Sequence, residues 1–134
     1  MNTLVVEDEF ISRKILTKIL SDYSNVDIAT DGQEAIDAFI LAHQNNEPYH
    51  LILLDIMMPE KNGQEVLKEI RDYEKTHNIY YNQVKIVMTT ASSDRKNIME
   101  AFRSQCEGYL VKPIIPNKLI DKIKELGFSM EKIV

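Results

Sequence analysis

The chain has 134 residues, of which 44% are hydrophobic and 28% charged, the size and composition of one globular domain with a packed core. Sixteen basic residues against 21 acidic ones give a net charge of -5. This charge argues against direct binding of nucleic acid, because phosphate backbones attract basic surfaces. The single cysteine, Cys106, excludes an internal disulfide and a cysteine-based zinc cluster.

No stretch approaches the roughly 20 consecutive apolar residues that a membrane helix requires. The first residues also lack the basic leader and the apolar run of a signal peptide. We therefore expect a cytoplasmic protein for which neither nucleic acid nor a membrane is a direct partner.

Five short segments rich in β-branched and other apolar residues have the length of strands. They are residues 3–6, 26–30, 50–54, 84–89 and 107–111. An amphipathic helical pattern follows each of them. This alternation predicts a three-layer α/β fold in which helices cover both faces of a mostly parallel five-stranded sheet.

The first helix is predicted over about residues 9–21, with an apolar stripe of Ile11, Ile15 and Ile19. The second begins at residue 30 or 31, the third after residues 62–63, the fourth near Ser93 or Asp94, and the fifth at Pro116. Segments 43–49 and 76–83 are predicted loops or helix extensions. The main body is expected to span residues 1–126, followed by a short C-terminal tail over 127–134.

Polar residues follow the predicted strands at their carboxyl ends, which meet at one edge of a parallel sheet. They are Glu7, Asp8, Asp55, Thr89, Thr90 and Lys112. Three carboxylates gathered there repel one another unless a cation balances them. Mg²⁺ prefers oxygen ligands, and together with the lysine it brings the formal charge of the group to zero.

A metal ion, a lysine and a hydroxyl aimed at one carboxylate suggest transfer of a phosphoryl group onto that carboxylate. Asp55 is the predicted nucleophile, because it stands alone at the end of an apolar central strand. Glu7 and Asp8 form the pair better suited to holding the metal.

These residues resemble the signature of response regulator receiver domains from two-component signalling, and in particular single-domain, chemotaxis-regulator-like members. The matching motifs are residues 7–8, 55–59 followed by 63, 89–91 and 108–113. The resemblance covers residues 4–126. It implies a flavodoxin-like fold with five helices and the strand order 2-1-3-4-5.

The resemblance also implies a set of roles for the site residues. Asp55 would accept a phosphoryl group from a phosphohistidine. Mg²⁺, or alternatively Mn²⁺, would be bound directly by Asp8 and Asp55, by the backbone carbonyl of Met57, and by Glu7 through a water molecule.

Three further residues have roles implied by the resemblance. Thr90 would donate a hydrogen bond to the phosphoryl group, and Lys112 would pair with its oxygens. Tyr109 would be an aromatic switch that responds to phosphorylation, and the bond between Lys112 and Pro113 would be cis.

Some positions depart from the common pattern of the family. Glu7 stands where an aspartate is more usual, and the segment that includes residues 76–83 is longer than usual. Met57 and Ser92 flank the path of a hydrolytic water, and neither side chain is suited to orienting it. We therefore expect slow self-dephosphorylation.

The leading interpretation is a phosphoacceptor switch, not an enzyme in the ordinary sense, that assists its own phosphorylation and dephosphorylation. Its partners would be a sensor histidine kinase or a histidine phosphotransfer protein, and a separate downstream effector protein. Two alternatives stay open. One is a hydrolase with an aspartyl-phosphate intermediate, although Met57 stands where such enzymes use a second acid. The other is a receiver-like interaction module that is never phosphorylated.

Overall fold

The computed structural model describes residues 1–91 and 95–133 of the chain. Five strands and five helices alternate along this part: β1 (Asn2–Val6), α1 (Phe10–Leu20), β2 (Asn25–Ala29), α2 (Gly32–Gln44), β3 (Leu51–Asp55), α3 (Gly63–Thr76), β4 (Lys85–Thr90), α4 (Arg95–Arg103), β5 (Gly108–Val111) and α5 (Pro116–Glu125). The strands form one parallel sheet in the order β2-β1-β3-β4-β5. The predicted fold class and strand order are confirmed.

The strand ends matter most, because the candidate site lies there. β3 extends to Asp55, and β2 ends at Ala29, one residue before the predicted boundary. The predicted start of the fourth helix near Ser93 or Asp94 lies outside the described residues.

The core consists of two apolar layers, one on each face of the sheet. Side chains alternate between the faces along each strand, so Ile52 and Leu54 pack under α2 and α3, while Leu51 and Leu53 pack under α1 and α5. β3 is buried along its whole length. This burial explains why its sequence is a continuous apolar run ending in one carboxylate.

The apolar face of α1 differs from the prediction. Leu16 and Leu20 are buried, whereas Ile11 and Ile15 are 57% and 46% exposed. The leucines repeat with the same four-residue spacing as the isoleucines but lie about 100° further around the helix. Ile11 and Ile15 of the predicted apolar stripe therefore do not face the core, whereas Leu16 and Leu20 do.

The C-terminal segment lies against the domain body. Phe128 and Met130 pack against the layer beneath α1 and α5, and the Ile133 amide donates a 2.6 Å hydrogen bond to the Asp22 carbonyl. None of the described helices combines the length and the hydrophobicity needed to cross a bilayer.

Candidate functional site

Three carboxylates converge at the carboxyl edge of the sheet. Glu7, Asp8 and Asp55 each contribute one oxygen to a group in which all the oxygens lie within 4.8 Å of one another. The pairing of Val6 with Leu54 in the β1–β3 ladder brings the next residue of each chain segment, Glu7 and Asp55, side by side. Glu7 and Asp55 are buried, whereas Asp8 is exposed to solvent.

Lys112 is the cation that faces this group. Its Nζ atom lies 2.9 and 2.8 Å from the two carboxylate oxygens of Glu7 and 3.3 Å from Oδ2 of Asp55. The backbone N–H of Lys112 donates a 2.7 Å hydrogen bond to the Thr90 carbonyl, which fixes the end of β5 beside β4. The bond between Lys112 and Pro113 is cis.

Buried Glu7 and partly buried Lys112 affect each other's pKa. Burial, and then the nearby charge of Asp55, raise the pKa of Glu7 although hydrogen bonds from Lys112 oppose the change. Burial alone would lower the pKa of Lys112, but its hydrogen bond to Glu7 and the charges of both acids outweigh that effect and raise the pKa. Lys112 therefore stays charged and serves as the counter-ion of the site.

The backbone around Asp55 is tightly held. Its Oδ1 atom accepts a 3.1 Å hydrogen bond from the N–H of Met57, whose side chain is 64% exposed. The first residue of α3, Gly63, packs directly on this segment and donates a 2.9 Å hydrogen bond to the Ile56 carbonyl. A Cβ atom at Gly63 would collide with the Asp55 carbonyl oxygen and lie 2.8 Å from Cα of Ile56. Only glycine therefore fits at this position without a backbone shift.

The predicted hydroxyl residues are buried, whereas the predicted aromatic residue is partly exposed. Thr90 is buried at the end of β4. The Thr89 hydroxyl is also buried and has no hydrogen-bond partner within residues 1–91 and 95–133. Tyr109 does not join the carboxylate group: its partly exposed ring packs edge-on against Phe102 of α4, with centroids 6.1 Å apart. Ser92 lies outside the described residues.

One residue of the site was missed by the sequence analysis. The guanidinium of Arg13 donates hydrogen bonds to the backbone carbonyls of Glu7 (3.3 Å) and Asp8 (3.0 Å), so it fixes the turn that carries both acids. Its position on the polar face of an amphipathic helix gave no signal of this contact. Glu9 was likewise not singled out, although its carboxylate caps α1 by accepting from the amides of Ile11 and Ser12.

The charges and donor atoms of the site suit a divalent cation. Glu7, Asp8, Asp55 and Lys112 have a formal net charge of minus two. All the available side-chain ligands are carboxylate oxygens, and one of the three carboxylates is open to solvent. Mg²⁺ prefers this kind of donor set, in which a few carboxylates leave room for water or phosphate oxygens. The residues therefore fit a magnesium ion.

The sheet order and the acidic site at its carboxyl edge define the chain as a flavodoxin-like α/β protein with a candidate cation-binding centre. The family model described as the response regulator receiver domain matches residues 3–124. The chain therefore belongs to the response regulator receiver domain family.

Several known proteins are similar to it over most of its length. The transcriptional regulatory protein SrrA of Staphylococcus aureus is 36% identical over 92% of this chain, which spans only 46% of SrrA. A chain from the co-crystal structure of Saccharomyces cerevisiae Ypd1, a histidine phosphotransfer protein, with the receiver domain of Ssk1 superposes with a TM-score of 0.80 and 33% identity, covering 95% of this chain and 88% of that one. The receiver domain of the Arabidopsis thaliana histidine kinase CKI1, solved with Mg²⁺ and BeF3-, has a TM-score of 0.80 and 27% identity, covering 93% and 88%.

Proposed function

We propose that this receiver domain is a phosphorylation-dependent switch in which Asp55 accepts a phosphoryl group from a phosphohistidine. The observation that carries the proposal is the convergence of Glu7, Asp8 and Asp55 at one edge of the sheet with Lys112 3.3 Å from Asp55. Family membership and the Mg²⁺-bound CKI1 receiver domain support it.

In the proposed transfer, a carboxylate oxygen of Asp55 attacks the phosphorus of the donor. The bond between phosphorus and the imidazole nitrogen breaks, the histidine keeps the electron pair, and an acyl phosphate forms on Asp55. Lys112 already faces both buried acids, so it can turn from Asp55 toward the new phosphoryl oxygens. The Thr90 hydroxyl is proposed to donate to another of these oxygens.

Four residues are proposed to hold the metal: Asp8 and Asp55 directly, Met57 through its carbonyl, and Glu7 through a water molecule. Mg²⁺ is the proposed ion, and Mn²⁺ is an alternative with similar oxygen ligands. A bound divalent ion supplies positive charge to the transferring phosphoryl oxygens. Because the phosphoryl group remains on the chain, the protein is a switch that assists its own reactions, and not an enzyme that turns over a substrate.

The proposed donor is a sensor histidine kinase or a histidine phosphotransfer protein. The co-crystal structure of Ypd1, a histidine phosphotransfer protein, with the receiver domain of its downstream response regulator Ssk1 supports this choice. The proposed readout is a separate effector protein that binds the surface formed by α4, β5 and α5, and not nucleic acid bound by this domain directly. We further propose that the domain works in the cytoplasm, where its single cysteine would stay reduced.

The test is incubation with acetyl phosphate and Mg²⁺, followed by intact-mass measurement. One phosphoryl group should add to the wild type, and none to Asp55→Asn or to the wild type in excess chelator. The control Asp121→Asn, which changes an exposed carboxylate on α5, should label normally. Continuous release of phosphate with turnover would instead support a hydrolase, and a complete lack of labelling would support a non-phosphorylated interaction module.

A further inference from the structure

A buried glutamine joins α3 to α4. Gln64, the second residue of α3, is 6% exposed, and its Nε2 atom donates a 2.7 Å hydrogen bond to the Asn97 carbonyl in the first turn of α4. We call this hydrogen bond the Gln64 contact. The Oε1 atom of the same amide is buried as well, but it has no hydrogen-bond partner in the described part of the chain. Buried polar groups are normally paired, so the unpaired oxygen needs a physical explanation.

One end of the Gln64 contact is fixed to the segment that carries the phosphoacceptor. Gly63, directly before Gln64, donates a 2.9 Å hydrogen bond to the Ile56 carbonyl. It packs so closely on this segment that a Cβ atom at Gly63 would collide with the Asp55 carbonyl oxygen. The start of α3 therefore cannot move without moving the backbone at Asp55.

The other end of the Gln64 contact lies on a helix that buries little of its surface. Of the residues described in α4, Ala101 alone is buried, and Phe102 is 45% exposed. The ion pair of Lys68 with Glu100 also joins α3 to α4, but the two side chains are 54% and 44% exposed, and exposed pairs contribute little to stability. An element with so few buried apolar contacts moves at a low cost in free energy. The buried Gln64 contact is therefore important for the position of α4.

The carboxyl end of α4 is anchored separately. The Arg71 guanidinium donates a 3.0 Å hydrogen bond to the Gln105 carbonyl, two residues after the helix ends. Loss of the Gln64 contact would therefore let the amino end of α4 pivot about its anchored carboxyl end. Phe102 of the same helix packs against Tyr109, so a pivot would change the surface formed by α4 and β5.

The unpaired oxygen limits the net strength of the Gln64 contact. A glutamine amide has a donor group and an acceptor group, and only the donor of Gln64 is used. The cost of burying the unpaired acceptor opposes the gain from the hydrogen bond. The contact can therefore favour one position of α4 and still be broken at a moderate cost.

We propose that Gln64 is a positioning residue that holds α4 in the unphosphorylated arrangement, and that phosphorylation of Asp55 breaks the Gln64 contact. The proposal rests on the switch described under Proposed function. It assigns to one side chain a part of the free energy that separates the two arrangements of the surface on α4 and β5. Because the contact exists in one arrangement only, removing it shifts the population toward the other.

The test is Gln64→Met, since methionine has a similar length and fills an apolar site without forming the hydrogen bond. Without beryllofluoride, amide hydrogen exchange over residues 96–101 should become at least about tenfold faster, while exchange in α3 and α5 stays unchanged. With Mg²⁺ present, beryllofluoride should bind at least about threefold more tightly, because the contact no longer opposes the movement of α4. Gln64→Leu, a shorter apolar replacement, should give the same results.

Two variants are matched controls. Gln44→Met makes the same substitution at an exposed position of α2, and Lys68→Met breaks the exposed ion pair between α3 and α4. Both should keep the wild-type exchange rates in α4 and the wild-type affinity for beryllofluoride. A residue that only stabilises the fold would, when replaced, speed exchange in all helices and leave that affinity unchanged.

Three results would overturn the proposal: wild-type exchange in α4 of both Gln64 variants, faster exchange spread evenly over all helices, or an affinity for beryllofluoride that is unchanged or weaker. Labelling of Asp55 by acetyl phosphate is measured on the same samples. A wild type that neither labels nor binds beryllofluoride would refute the switch itself. A wild type that labels normally, together with Gln64 variants that behave like it, would refute the role of Gln64 alone.

Discussion

At the scale of single residues, Lys112 holds two buried carboxylates together. Its ammonium contacts both oxygens of Glu7, which has no exposed surface, and one oxygen of Asp55. Without this charge, two neighbouring buried acids would repel each other with nothing to balance them. The same balance can be restored by a divalent cation bound to these acids, so lysine and metal are partly interchangeable for stability.

Replacement of Lys112 by methionine tests this relation. In the absence of Mg²⁺, Lys112→Met should lower the free energy of unfolding by about 3 kcal/mol, because it leaves a buried charge unpaired. Saturating Mg²⁺ should stabilise the variant more than the wild type, since bound cation replaces the lost charge. Urea unfolding with and without Mg²⁺ measures both effects.

The control for this prediction is Lys122→Met, which removes a lysine paired with exposed Glu125 and should cost less than about 1 kcal/mol. Equal stabilisation of the wild type and Lys112→Met by Mg²⁺ would contradict the proposed balance of charge.

Met57 is the residue expected to govern how long the signal lasts. It follows Asp55 by two positions, its N–H is bound to the Asp55 carboxylate, and its side chain extends into solvent. A thioether cannot orient a water molecule for attack on phosphorus as an amide or carboxylate can. Met57→Asn, alone or with Ser92→Glu, should therefore shorten the lifetime of the acyl phosphate several-fold.

The lifetime is measured by phosphorylating the protein, removing the donor and following the phosphorylated mass with time. Met99→Asn replaces another exposed methionine, on α4, and should decay like the wild type. Decay of Met57→Asn at the wild-type rate would show that this side chain does not control access of water.

At the scale of elements, the sequence predicts the strands better than the faces of the helices. The strands are short apolar segments separated by polar ones, so their positions can be identified from the sequence. β3 in particular is an unbroken apolar run that ends at Asp55. In α1, however, isoleucines and leucines form two stripes with the same spacing. Only the packing against β1 and β3 decides that Leu16 and Leu20 are buried and Ile15 is not.

Some features of the candidate site can likewise be predicted from the sequence, and others cannot. Glu7, Asp55 and Lys112 stand at the carboxyl ends of strands, so a parallel sheet predicts that they meet at one edge, and the structure brings them together. The contact of Arg13 with the β1–α1 turn depends on the three-dimensional path of that turn, and no spacing in the sequence indicates it. Which acid the lysine binds most closely likewise depends on side-chain geometry.

A buried ion cluster ties α3 to the amino ends of β4 and β5. Arg71 donates to Glu74 at 2.7 Å, to both carboxylate oxygens of Glu107 at 2.9 Å, and to the carbonyls of Val84 and Gln105. Glu74 has no exposed surface, and its second oxygen accepts a 2.8 Å hydrogen bond from the Val84 amide. These contacts join three elements at the edge of the sheet opposite the carboxylate site.

Removal of the guanidinium should therefore be costly. Arg71→Met should lower the free energy of unfolding by about 3–5 kcal/mol, because Glu74 would be left as a buried charge without its partner. Arg71→Met with Glu74→Met should be more stable than Arg71→Met alone, since no buried charge would then remain at position 74.

Urea unfolding of both variants measures these differences. Lys68→Met breaks an ion pair with Glu100 on the surface and should cost less than about 1 kcal/mol. An Arg71→Met effect as small as that of Lys68→Met would show that the cluster contributes little to stability.

At the scale of the whole molecule, β5 connects the carboxylate site to a surface on another side of the domain. Lys112 follows this strand and reaches Glu7 and Asp55, while Tyr109 within it contacts Phe102 of α4. β5 is paired with β4, so Val111 lies beside Thr90. A shift of Thr90 and Lys112 toward a phosphoryl group would therefore move β5 and alter its contact with α4.

Beryllofluoride, which mimics a phosphoryl group on aspartate, tests this coupling. In the wild type with Mg²⁺, amide shifts are expected at Tyr109, at Phe102 and along α4, because the proposed movement of Thr90 opens space for the partly exposed tyrosine ring. Fluorotyrosine spectra should show a changed environment for Tyr109 and none for Tyr23, which lies in the segment between α1 and β2. Asp55→Asn should show neither change. Chemical-shift changes limited to residues 7–8, 55–58 and 112, with Tyr109 and α4 unaffected, would contradict the coupling. They would mean that the site binds the mimic without changing the conformation of the surface on α4 and β5.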